Sequence, residues 1–264
     1  MVTRRNVLLT GVCGMVAPSA WAATDDPTGG DPLGSMQWPD LRKKYTQGAP
    51  LRFTDEVLVR TPAFADDALN VPLQVDARAL LQVGGGIARM IVLADRNPIH
   101  EVLSFEPLRA LPLLAFRIRL EQASPIRCLV QTHDGAWHVG GAMTQAAGGG
   151  CTVPGVTRAD GSWSKTLNQV QARFFSNPAE GTRRLRVQIM HPMDTGLVAG
   201  IPALYIESLE LQDGAGQAWW RLQPHEPLSE NPLITFEMPL PGPRQFRLVG
   251  QDNNGNRIDA EVRA

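Results

Sequence analysis

The chain has 264 residues and a formal net charge of -1, with 19% charged residues. That balance supplies no electrostatic reason to bind nucleic acid or an anionic membrane surface. The length admits two modest domains, and 25 glycines with 21 prolines favour many short strands joined by turns over long helices.

The N-terminus reads as an export signal over residues 1–22. Arg4-Arg5 form a positive start, residues 7–16 a short apolar core, and Ala20-Trp21-Ala22 the cleavage region. The run Thr3-Arg4-Arg5-Asn6-Val7-Leu8 resembles a twin-arginine signal, which exports folded proteins; an ordinary Sec signal carrying two arginines is the alternative. The apolar core is too short to span a bilayer and no later run is long enough, so membrane insertion is not expected. The expected location is the bacterial periplasm. Residues 23–35, rich in Asp, Thr, Gly and Pro, read as a disordered spacer. In 38–47, Trp38, Leu41 and Tyr45 fall at helical spacing, predicting a short helix.

Strand-like runs follow at 56–61, 71–80, 88–95, 113–121, 126–133 and 137–144, separated by turn signals such as Arg96-Asn97-Pro98 and His133-Asp134-Gly135. No crossover helices intervene, which predicts an antiparallel β-sandwich over 36–147. From 148 to 182 the pattern breaks into Gly, Pro, Ser, Thr and Asn, with a short helix suggested near 167–175. This stretch reads as a flexible arm and linker. Runs at 185–191, 203–212, 218–222, 233–238, 244–251 and 257–263 predict a second small sandwich over 183–264. The expected fold class is all-β, two immunoglobulin-like sandwich domains on a flexible linker.

With Cys13 in the discarded signal, the mature chain keeps Cys128 and Cys151. Cys151 follows Gly148-Gly149-Gly150, residues that lose the most entropy on ordering. The placement predicts an exposed thiol at the end of a mobile tether, able to carry something covalently attached. The alternatives are an incidental thiol in a linker or a Cys128–Cys151 disulfide. Alternation of Ile126, Cys128 and Val130 with polar or outward neighbours argues that Cys128 faces a core and cannot readily meet Cys151.

Other candidates are weaker. His133 and His138 flank a hairpin turn, and surface-turn histidines explain them better than a metal site with Cys151. His191-Pro192-Met193 suggests a rigid strand-end turn more than copper ligation. Gly84-Gly85-Gly86 lacks a following helix and is not a phosphate loop. Trp219 and Trp220, adjacent in a strand, cannot both be buried on one face of a regular strand, so one is expected at an edge or interface. No Ser/His/Asp or paired-carboxylate constellation has a motif around it. Independent catalysis is not expected, nor is a resident cofactor or metal.

Two groups of motifs carry a family resemblance. Val71-Pro72-Leu73, Arg96-Asn97-Pro98-Ile99, Leu114-Ala115-Phe116 and Gly148-Gly149-Gly150-Cys151 resemble the landmarks of SoxY, in order. His191-Pro192-Met193-Asp194-Thr195-Gly196, Ile201-Pro202-Ala203, Ser229-Glu230-Asn231-Pro232 and Asp252-Asn253-Asn254-Gly255 resemble SoxZ. The chain thus looks like a single-chain fusion of the two subunits of the SoxYZ sulfur carrier, similar to the forms associated with quinoprotein (PQQ-dependent) dehydrogenases. The resemblance implies a periplasmic, non-enzymatic carrier in thiosulfate oxidation, with sulfur intermediates bound to Cys151 and Gly148, Gly149 and Gly150 giving the arm its reach. It implies sulfur-oxidising enzymes or cytochromes as partners, with a PQQ-dependent dehydrogenase as the partner in an alternative, accessory role. The SoxY arm ends in Gly-Gly after its cysteine, whereas here Thr152-Val153 follow and the chain continues, so the arm is tethered at both ends.

Overall fold

The computed structural model describes residue 26, residues 28–159 and residues 161–264; the export signal expected at 1–22 lies outside them. After helix α1 (Trp38–Thr46), the first block contributes β1 (Leu51–Phe53), β2 (Leu58–Arg60), β3 (Phe64–Ala65), β4 (Val71–Asp76), β5 (Ile87–Ala94), β6 (Glu101–Glu106), β7 (Leu113–Ile118), β8 (Ser124–Thr132) and β9 (Trp137–Ala146). A one-turn helix, α2 (Trp163–Thr166), precedes the second block: β10 (Val170–Asn177), β11 (Thr182–Ile189), β12 (Ile206–Asp213), β13 (Ala218–Pro224), β14 (Leu233–Pro239), β15 (Gln245–Asp252) and β16 (Arg257–Arg263). The fold is all-β and sandwich-like, as the patterning predicts.

The two blocks meet edge to edge in both layers. One sheet runs β1-β9-β8-β5-β6-β13-β12-β15-β16 and the other β10-β11-β14-β7-β4-β2. The joins are antiparallel: Phe105 of β6 lies opposite Leu222 of β13, and Leu114 of β7 opposite Phe236 of β14. Each join removes a strand edge that would otherwise leave backbone groups unpaired. One apolar core therefore runs through both blocks, from Val75, Phe105 and Leu114 to Leu185, Phe236 and Leu248. At its centre Trp220 stacks on Phe236 with ring centroids 4.0 Å apart, a contact that contributes about 0.5–1.5 kcal/mol beyond burial.

A second, smaller core lies outside the larger sheet, where Trp38 and Leu41 of α1 cover Ile91, Leu93, Leu129, Trp137 and Val139. This covering explains why β5 and β8 read as nearly continuous apolar runs: both faces are buried. The spacer expected at 23–35 is, over its described residues, tied down rather than loose. Asp31 is paired with the buried Arg127 (2.6 Å), which also pairs with Asp95 (2.9 Å) and lies over Trp38. Burial alone would raise the Asp31 pKa, but the guanidinium and the backbone N–H groups of Leu33 and Ser35 together hold it below the usual carboxylate range.

Three expectations are corrected. Residues 170–177 form a full strand against β11 rather than linker or helix; Phe174 and Phe175 are adjacent, so their alternation is ambiguous until pairing sets the register. Strand β6 is absent from the predicted set because Val102 and Leu103 are both buried, which breaks period-two patterning. Trp219 and Trp220 are both buried in the same core. The register between β12 and β13 slips at Leu211/Gln212, leaving Trp219 as the extra residue, and a bulge can turn consecutive side chains to one face.

Candidate functional site

Beyond β7 the chain passes through Arg119, Leu120 and Glu121, and the glycine run lies alongside it. Leu120 donates its N–H to Ala68 O (2.8 Å), Gly149 donates to Glu121 O (2.9 Å) and Gly150 to Leu120 O (3.0 Å). Gly150 is squeezed between these two segments: a Cβ built there would lie 2.3 Å from Ala68 O and 2.6 Å from Leu120 O. Only glycine lets the loop sit down in this position.

The docked loop places Cys151 where its thiol is 1% exposed. Its N–H donates to Glu121 Oε2 (3.1 Å), and the next residue, Thr152, donates its hydroxyl to Glu121 Oε1 (2.9 Å). The Cys151 carbonyl accepts from Thr195 Oγ1 at 2.7 Å, and Arg119 O lies 4.0 Å from the sulfur. Burial first, and the Glu121 carboxylate second, push the thiol pKa up to about 12. The expectation of an exposed, swinging thiol is therefore corrected for this conformation. Hydrogen bonds from Gly149, Gly150, Cys151 and Thr152 and to the Cys151 carbonyl offset part of the glycine entropy lost on docking.

The second block holds the rest of the loop. Glu230 accepts the N–H groups of Val156 (3.1 Å) and Thr157 (2.9 Å). Asn231 donates to Thr157 Oγ1 (2.9 Å), and its side-chain oxygen accepts from His191 N. Asp194 pairs with Arg158 (2.6 Å), whose guanidinium lies over Trp163. Thus the segments 191–196 and 229–232, singled out in the sequence by their resemblance to SoxZ, form the cradle for the Cys151 loop. The roles of Glu121, Thr195, Asp194 and Glu230 in it are not readable from the residues; the last three carry the signal of their place in those motifs, and Glu121 carries none.

His191 and Met193 are structural. His191 Nδ1 accepts the Met193 N–H (3.1 Å), Met193 Sδ accepts from Ile206 N (3.4 Å), and Met193 turns at φ 48°. Burial lowers the His191 pKa to about 4, against the pull of Asp252. His138 is buried, with Nδ1 accepting from Arg52 Nε (3.0 Å), whereas His133 is exposed. Among the described residues no group of three or more His, Cys, Asp or Glu is arranged to hold a metal ion. Cys128 and Cys151 are both free thiols, with no disulfide between them, and burial raises the pKa of Cys128. No helix among the described residues is long and apolar enough to cross a membrane.

Comparison with known proteins gives two family matches in tandem: the sulfur oxidation protein SoxY over residues 42–151 and the sulphur oxidation protein SoxZ over residues 175–263. The first ends on Cys151 itself. No curated protein matches the chain. Among solved structures it is similar to the sulfur carrier protein SoxY from Chlorobium limicola f. thiosulfatophilum, at 18% identity, with 42% of this chain and 96% of that one covered and a TM-score of 0.36. A candidate superoxide reductase from Thermotoga maritima matches at 12% identity over 39% of this chain and 89% of its own, with a TM-score of 0.29. Neither structural likeness carries weight at these scores; the two family matches, together spanning most of the chain, do. The chain belongs to the sulfur-oxidation carrier family as a fused SoxYZ-like protein, a SoxY block followed by a SoxZ block.

Proposed function

We propose that this protein is a periplasmic, non-catalytic carrier of sulfur intermediates, with Cys151 as the attachment atom on the Gly148-Gly149-Gly150 arm. The observation that supports this most directly is the position of Cys151: it closes the SoxY match, and its loop is gripped by the SoxZ-block segments 191–196 and 229–232. A thiol with a pKa of about 12 is a poor nucleophile, because the thiolate is the reacting species. The docked loop is therefore a resting state that protects the thiol, and loading requires the loop to lift. Conjugation of thiosulfate then forms one S–S bond: Cys151–SH and S₂O₃²⁻ give Cys151–S–S–SO₃⁻, releasing one proton and two electrons. The electrons pass to a haem partner and the cargo is processed by other enzymes.

A second function is favoured by the same burial: a binding or accessory protein for a periplasmic PQQ-dependent dehydrogenase, in which Cys151 is dispensable. Intact-protein mass spectrometry of material purified from its native compartment, with and without reductant, separates the two. A reductant-labile sulfur adduct that is absent from Cys151→Ala supports the carrier. An unmodified thiol, with full biological activity of Cys151→Ala, overturns it in favour of the accessory role.

A further inference from the structure

The outer face of the six-stranded sheet carries an unbalanced row of arginines. Arg173 of β10 lies directly opposite Arg186 of β11, and like charges so placed repel. The same register row continues through Thr235, Ala115 and Gln74 to Arg60 of β2. Arg117 of β7, opposite Pro72, stands on the same face one row along. Arg184 is neutralised by Glu237 (3.0 Å) and Asp76 by Arg78 (2.8 Å). Among the described residues no carboxylate lies within ion-pairing distance of Arg60, Arg117, Arg173 or Arg186. All four are exposed, in a chain whose net charge is -1.

Between Arg186, Arg117 and Arg60 lies a groove of ≈ 850 Å³, lined along the row by Thr235, Ala115 and Gln74 and by apolar side chains that include Phe175, 45% exposed, and Leu233. Both blocks build it, so it exists only because β7 and β14 are paired. From β11 to β2 is four inter-strand steps, about 19 Å, which is the length of about six extended residues. A single small oxyanion touches charges a few ångström apart and has no use for that span or for the apolar side chains. The carrier loop lies close to the middle strand of this row, since Arg117 of β7 precedes by two residues the buried Arg119, whose carbonyl oxygen is 4.0 Å from the Cys151 sulfur.

We propose that this groove docks an extended acidic segment of a partner protein, laid across the strands from Arg186 to Arg60 and so beside the Cys151 loop. The groove stands independently of the cargo; the carrier function above is needed only to say why docking beside Cys151 is useful.

The test is fluorescence anisotropy of the full chain with a fluorescein-labelled peptide of alternating Glu and Ala, about ten residues long, at about 20 mM and about 200 mM NaCl. The expected result is binding that weakens with salt and is weakened about tenfold by Arg117→Gln with Arg186→Gln. Arg257→Gln, on the other sheet, is expected to leave it unchanged, as is Cys151→Ala, so that failure of docking and failure of the carrier function read out separately. Absence of peptide binding, equal weakening by Arg257→Gln, or no effect of the double substitution overturns the proposal. So does competition by sulfate beyond that of sodium chloride at matched ionic strength, which identifies a small-oxyanion site. Binding to phosphatidylglycerol vesicles without peptide binding overturns it in favour of a lipid surface.

Discussion

At the scale of single residues, burial holds Cys151 protonated and Glu121 reinforces it. Its carboxylate accepts the Cys151 N–H and the Thr152 hydroxyl, so it grips the loop and also discourages ionisation of the thiol. With a pKa of about 12, about one thiol in ten thousand is ionised at pH 8. Glu121→Gln keeps an oxygen for the N–H but removes the charge. Both effects act in one direction: the thiol pKa falls and the loop lifts more easily. Alkylation of Cys151 by iodoacetamide at pH 8, followed by mass, is expected to accelerate about tenfold, with the pH–rate midpoint moving down. A rate equal to or below that of the parent protein contradicts this role. Cys151 was legible from its glycine neighbours. Glu121 and Thr195 were not, because they lie 30 and 44 residues away in sequence and only the fold brings them to the thiol.

At the scale of elements, the glycine run behaves as a docked turn rather than a free tether. In the docked loop Gly148 and Gly149 supply the positive φ of the turn, whereas the value of Gly150 is steric, since it fits where backbone carbonyls leave no room for a Cβ. Gly150→Ala therefore acts selectively. Its backbone does not have positive φ, so alanine adds no conformational strain, and the clash is with the docked position alone. We expect Cys151 to become alkylated at least about tenfold faster, with a melting temperature within a few degrees of the parent because the sandwich core is untouched. Continued protection of the thiol, or a large fall in melting temperature, shows that the loop is part of the fold rather than a latch on it. The strand β10 teaches the complementary lesson. Its sequence looks like linker because Phe174 and Phe175 obscure the alternation, and its pairing with β11 and the packing of the half-buried Phe174 against Phe246 settle it.

At the scale of the whole molecule, both layers and the apolar core cross the boundary between the blocks. The covalent connection is thus not what holds them together: apolar burial on the scale of a domain core outweighs the loop-closure entropy that a linker saves. A protease site inserted after Gly161, which faces open space, tests this. After cleavage the two fragments are expected to co-elute in size exclusion and to melt in one transition; separate elution refutes the weld. The same continuity builds the arginine groove, which neither block forms alone.

Several properties were determined by the sequence alone: the all-β class, a short helix opening at Trp38 and the core-facing Cys128. All rest on local pattern, since the period of burial and the residues around a turn are written in consecutive positions. The tertiary structure decided whether Cys151 is exposed, which residues cradle its loop, where Trp219 points and whether the blocks join. Those outcomes depend on strand register and on which edges meet, and a period-two pattern names the buried face of a strand without naming its neighbour.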